Sequence, residues 1–197
     1  PEGIGDFSVS LRADGPPDEG VWPNNWTKFG VMFRQDLDAN SKDMYLIAAW
    51  ANGLVQQYRS VKGIGAARQG GNGARQPYEN GTLNFVGPVW LKLERQGNLF
   101  VGYYSYDGFQ WVQAARWDYP MQHTIAFEEP FYVGVCLTSH TTSSMATAVF
   151  GDLTFKEQEA HAISDAYALR TLPVAYEAGG AVDVSLSLRV NPDNLPP

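Results

Sequence analysis

Apolar and polar residues alternate one for one in run after short run of this chain. Phe7, Val9 and Leu11 alternate with Ser8, Ser10 and Arg12; Val89, Leu91 and Leu93 alternate with Trp90, Lys92 and Glu94; Val133, Val135 and Leu137 alternate with Gly134, Cys136 and Thr138. Side chains two positions apart share one face of a strand, so each run predicts a strand with a core side and a second side. Further strands are predicted over 29–35, 43–50, 54–60, 99–105, 109–116 and 146–155. The turns between them are legible too. Gln96-Gly97-Asn98 and Tyr106-Asp107-Gly108 suit tight hairpins, so 89–116 predicts a three-stranded meander. Asp36 to Asp43 forms a polar turn, and Asn52-Gly53 another. No long amphipathic helix interrupts the series. Short strands at this spacing predict an all-β sandwich or barrel.

Composition narrows the choice. A chain of 197 residues with 44% hydrophobic content can bury a large core, and its 13% aromatic content favours strands. The formal net charge of −7, with arginines scattered, argues against nucleic acid and anionic membrane as partners. Cys136 is the single cysteine, so no intrachain disulfide forms and the core must supply the stability. No secretory leader, lipidation motif or apolar stretch near membrane-spanning length is evident, so membrane insertion is not expected. The chain begins at Pro1, as a mature protein or a fragment would.

Two stretches depart from the regular series. Residues 63–82 are rich in glycine and poor in apolar side chains, which predicts a long loop or flap. At about residue 156 the composition turns polar and charged. The expected organisation is therefore a sandwich over 1–156, a linker over 157–166 and a strand-bearing extension over 167–197. In that extension Val182, Val184, Leu186 and Leu188 alternate with polar residues. Two strands cannot build an independent core, so the extension must pair with something.

The segments Phe29-Gly-Val-Met-Phe-Arg34, Tyr58-Arg59, Trp90-Leu-Lys-Leu-Glu-Arg95, Gly97-Asn98, Tyr103-Tyr-Ser-Tyr-Asp-Gly108, Trp111 and Tyr132–His140 with Phe150 occur in an order that resembles the DUF1349 family of concanavalin A-like modules. The resemblance spans roughly 5–155. It implies a jelly-roll sandwich related to legume lectins and laminin G domains, and a bacterial protein that is secreted or displayed at the cell surface. The tail 167–190 resembles the opening of immunoglobulin-like repeats that follow such modules. One departure stands out: strands that usually precede the segment equivalent to Gly5–Leu11 are missing here. The alternating stretch Ala181–Val190 is a candidate to fill the vacant place, within the chain or in a neighbour.

Catalytic residues are not expected. Glucanases of this fold need closely spaced carboxylates on one strand face, and no Glu-x-Asp-x-Glu run exists here. Glu128 and Glu129 are adjacent and precede Pro130, which suits a loop. Ser105 and Asp107 sit at a hairpin turn, where such residues bond the backbone, so a triad with His140 is not favoured. Cys136 reads as apolar filling of a strand. Asp36-x-Asp38-x-Asn40 has the oxygen spacing of a calcium loop, but Ser41 and Ile47 stand where such a loop needs glycine and an acidic residue. A polar turn is the favoured reading there, calcium the lesser one, and no other cofactor is expected.

Sugar binding is the chemistry that survives. Flat aromatic rings cover sugar faces while polar groups meet the hydroxyls. The candidate ligand-binding residues are Trp22, Trp26, Trp50, Tyr58, Arg59, Trp90 and Tyr106; Trp22 and Trp26 are expected in an exposed loop, Trp111 in the core. Asn25-Trp-Thr27 and Asn80-Gly-Thr82 match the N-glycosylation pattern and are expected at the surface wherever they are used. The expected function is a non-catalytic carbohydrate-binding or adhesion module. The alternative is a subunit of a filament or surface array that self-associates through 167–197, with Val182, Val184, Leu186 and Leu188 as the exchanged strand. A glycoside hydrolase is the third reading.

Overall fold

The structure, a computed structural model, describes residues 1–15, 22–70, 87–116 and 119–157. The expectations placed on Asn80 and on 158–197, including Val182, Val184, Leu186 and Leu188, lie outside the described residues. Among the described residues there are fourteen strands: β1 (Glu2–Gly3), β2 (Phe7–Gly15), β3 (Lys28–Arg34), β4 (Asp43–Ala49), β5 (Gly53–Arg59), β6 (Ala67–Gly70), β7 (Val89–Gln96), β8 (Leu99–Ser105), β9 (Val112–Gln113), β10 (Ala115–Arg116), β11 (Tyr119–Pro120), β12 (Gln122–Thr124), β13 (Phe131–Thr138) and β14 (Val149–Glu157).

Twelve of them form two antiparallel sheets packed as a sandwich, an arrangement consistent with a jelly roll, while β10 and β11 pair only with each other. The first sheet has the order β1-β13-β3-β4-β5-β6; the second has β12-β8-β7-β2-β14, with β9 paired to β8. Neighbours such as β13 and β3 are far apart in sequence, so the fold rests on long-range pairing.

The period-two alternation produces the core directly. Phe7, Val9, Leu11 and Ala13 of β2 are fully buried, as are Val89, Leu91 and Leu93 of β7. Phe29, Val31 and Phe33 of β3 meet them from the other sheet, and Phe7 lies edge-on to Phe33 and Phe131 at 6.3 and 6.1 Å. Each such side chain contributes about 1.5–3 kcal/mol by leaving water. Arg95 is the charged residue in the inward phase of β7. It is buried, its Nη1 donates to the carbonyl of Gly5 at 2.6 Å and to Glu129 at 3.0 Å, and its guanidinium lies 4.5 Å from the Phe131 ring. A buried charge is tolerable when it is paired and bonded in this way.

Three expectations need correction. The predicted strand over 109–116 breaks into β9, which pairs with Tyr103 and Tyr104 of β8, and β10, which pairs with β11 instead. The glycine-rich stretch is not all loop: Ala67–Gly70 pairs with Val55–Tyr58. The short strands β1, β11 and β12 carry too few residues to show a period. The last strand reaches Glu157, one residue into the expected linker.

Candidate functional site

The two sheets differ in what their outer faces carry. On the second sheet, residues that alternate with the core line up across strands. Register places Ser8 beside Glu94, Ser10 beside Lys92 and Arg12 beside Trp90. It places Lys92 beside Tyr103 and Trp90 beside Ser105 on the other flank. Thr154 and Lys156 of β14 continue the rows beside Ser10 and Ser8. The β8–β9 turn rises over this surface with Phe109 and Trp111. An open groove of about 500 Å³ results, walled by Trp90, Trp111, Phe109 and Asp152 over a floor of Lys92 and Glu94.

The floor is electrostatically self-contained. Lys92 Nζ lies 2.7 Å from Glu94 Oε1. The same ammonium sits 4.5 Å from the Tyr103 ring and 4.8 Å from the Trp111 ring. A cation over an aromatic face gains about 0.5–1 kcal/mol where it is exposed and more where water is excluded. Burial raises the Tyr103 hydroxyl above its usual range, and the charge and hydrogen bond of Glu94 raise it further. One wall is held by Trp90, whose Nε1 donates to Asp152 Oδ2 at 3.1 Å. Asp152 adopts a positive φ of 51° at the irregularity in β14, which aims its carboxylate at the groove. Arg12 Nη1 lies 3.5 Å from the same carboxylate.

The opposite wall depends on one turn. Asp107 Oδ1 accepts from the backbone N–H groups of Gln110 and Phe109, both at 2.8 Å, and from Ser105 Oγ at 2.9 Å. Those bonds hold the Asp107 carboxyl below its usual range, the two backbone donors leading. Gly108 has φ 77°, and a Cβ there would stand 2.9 Å from Trp90 Nε1. A side chain would therefore be strained and would push Trp90 aside. Ser105 and Asp107 thus shape the turn, as their sequence context predicts. The bond His140 makes here runs from its own N–H to the Thr138 hydroxyl.

The structure scatters most of the residues chosen from sequence. Trp22 is 4% exposed and packs edge-on to Phe29 at 4.1 Å, which corrects the expectation of an exposed loop residue. Its apolar surroundings draw the ring inward even though the flanking sequence is polar. Trp50 is partly buried 5.9 Å from Trp22. Trp26 packs on Ile47, Ala49 and Val55 at the outer face of the first sheet, with Lys28 Nζ 5.6 Å from its ring. Tyr58 points inward and stacks on His123 at 3.7 Å. Arg59 is spent on its own turn, donating to the carbonyls of Ile64, Ala39 and Ser41 and to Asp43. Tyr106 is exposed and lies edge-on to Tyr104 at 5.6 Å. Only Trp90 of that set lines the groove. Trp111, expected in the core, lines it too, and burial is not its role.

The carboxylates that have the calcium-loop spacing are engaged by a lysine. Lys62 Nζ donates to Asp36 Oδ2 at 2.9 Å and also to Asp38 Oδ2. The ammonium occupies the place between the carboxylates and holds the Asp36 carboxyl below its usual range. Ser41 closes the turn by accepting from the Asp36 N–H, and Asn40 accepts from Gly63 through its carbonyl. Asn25 is exposed, as its sequon requires, and its carbonyl accepts from Ala51 and Asn52.

Lys92, Glu94, Phe109, Trp111 and Asp152 were missed as site residues. Phase alone places Trp90, Lys92 and Glu94 on one face, since they alternate with buried Leu91 and Leu93. Which strands lie beside that face is set by tertiary pairing.

No family model matches the chain, and no curated protein matches it. Among solved structures it is similar to a functionally unknown protein from Saccharomyces cerevisiae, with 13% identity and a TM-score of 0.50 over 81% of this chain and 73% of that one. At that identity the likeness shows the fold alone.

Proposed function

We propose that this chain is a non-catalytic carbohydrate-binding module of a secreted or cell-surface protein, and that the groove on the outer face of the second sheet is its glycan site. The observation that carries the reading is the juxtaposition of Trp90 and Trp111 over Lys92 and Glu94. Aromatic faces cover the C–H side of a pyranose ring, and the ammonium and carboxylates meet its hydroxyls. Three of the four carboxylates that line the groove are already engaged: Glu94 by Lys92, Asp152 by Trp90 and Arg12, Asp107 by its own turn; Glu157 is the fourth. A general acid needs a carboxyl held protonated, and Asp107 is pushed the other way. That supports binding over hydrolysis. The family resemblance supports the extracellular setting.

A glycan array followed by tryptophan-fluorescence titration tests the proposal. The expected result is binding to at least one polysaccharide that Trp90→Ala and Trp111→Ala each weaken. Failure to bind any glycan, or binding that neither substitution changes, sinks it.

A further inference from the structure

The sandwich is open along the side bounded by β14 in one sheet and, in the other, by the part of β13 beyond its short pairing with β1. Val135 and Leu137 are 48% and 40% exposed. They nevertheless belong to the inner face, because register sets them beside Val31 and Phe29, both fully buried. Across the opening, Phe155 and Phe150 of β14 share the inward phase of Val9 and Ala13 but are only partly buried. Leu153 and Val149 on the same strand are 46% and 40% exposed. Inner-face side chains at that exposure mean that something is missing above them.

Backbone edges border the same opening. β14 ends its sheet, with β2 on one edge and no strand on the other among the described residues. A long edge flanked by exposed apolar side chains is a template for one more strand.

We propose that residues 181–190 of the same chain add to the free edge of β14 and lay Val182, Val184, Leu186 and Leu188 over Val135 and Leu137. Alternation puts those four on one face, with Asp183, Ser185, Ser187 and Arg189 on the other. The ten residues of the segment can run the length of β14, which has nine. Residues 158–180 connect the two, and a chain of that length at about 3.3 Å per residue can turn back along a strand of β14's length. Tethering gives the segment an effective concentration on the order of millimolar, which favours its own edge over that of a second copy. The glycan reading neither requires this strand nor depends on it.

Hydrogen exchange on the full chain tests the assignment. In the unaltered protein, peptides spanning 149–157 and 181–190 should both be protected. The double substitution Val184→Asp and Leu186→Asp should speed exchange across 149–157 at least about tenfold while 89–105 stays unchanged. Equal exchange across 149–157 in the two proteins overturns the proposal. A disulfide scan is the second measurement. Val135→Cys is combined in turn with Val184→Cys, Leu186→Cys and Leu188→Cys, with Cys136→Ser throughout. A bond within one chain in any of the three supports the proposal. Bonds only between chains overturn it in favour of strand exchange between copies, and no bond in any pairing overturns it outright.

Discussion

The outer face of the first sheet is closed, whereas that of the second is open. On the first, Ile47, Ala49 and Val55 are fully buried although they point away from the sandwich core, with Trp26, Tyr45 and Cys136 packed on them. On the second, Trp90 and Trp111 stand half-exposed over a paired lysine and glutamate. Both faces carry tryptophan, so tryptophan content alone says nothing about a ligand. What differs is the neighbour: Trp26 packs on an aliphatic cluster, whereas Trp90 and Trp111 stand beside charged residues. The comparison predicts that substitutions on the first face cost stability and substitutions on the second cost binding.

The largest expected effect is at Ile47. Ile47→Asp places an unpaired carboxylate in the closed face and should destabilise the protein by roughly 4 kcal/mol or more, read from urea unfolding. A loss under about 1 kcal/mol would show that this face is open after all.

Cys136 reports on the same face by chemistry. It retains some exposure, yet burial pushes its thiol up to about 12, the charge of Asp43 adding to the effect. Alkylation at pH 8 should therefore be at least about a hundredfold slower in the folded protein than in urea, since the thiolate is the reactive form. Comparable rates would break the comparison at this point.

Trp111→Ala should reverse the balance. Glycan binding is expected to fall about tenfold, or about 1.4 kcal/mol, while the unfolding temperature shifts by no more than about 4 °C. A large drop in unfolding temperature would make Trp111 a packing residue like Trp26.

The smallest effect is expected from Glu94→Gln. Removing the carboxylate costs under about 1 kcal/mol of stability. It also removes the negative charge that helps raise the Tyr103 hydroxyl, so that group should ionise at lower pH, as followed by ring-carbon NMR shifts. The sign follows from linkage. A raised folded value means that the stability Tyr103 contributes is whole below about pH 10 and lost as pH rises through the folded value. Glu94→Gln should weaken that alkaline loss.

Much of the fold was legible because strand phase is a local property. The alternation in 7–11, 89–93 and 133–137 names residues that do lie on inner faces, and the Asp-Gly and Gly-Asn turns sit where β7, β8 and β9 need them. Little of the site was legible. Trp22 has polar neighbours in sequence and apolar ones in space, while Trp111 follows a turn whose direction only the folded β8 fixes. The Asp36–Asn40 spacing suits a cation loop or a turn, and the ion pairs with Lys62 come from outside that turn, beyond the reach of local spacing.

By itself, then, the sequence determined the strands, their inward sides and the class of sandwich, because period two and turn chemistry act over a few residues. Only the tertiary structure decided which aromatic rings are exposed, because exposure depends on the strand lying alongside. It set Ser10 of β2, Lys92 of β7 and Tyr103 of β8 in one row from three separated segments. It also left Val135 and Leu137 uncovered on an inner face, a fact that alternation cannot express because phase names a side and not its cover.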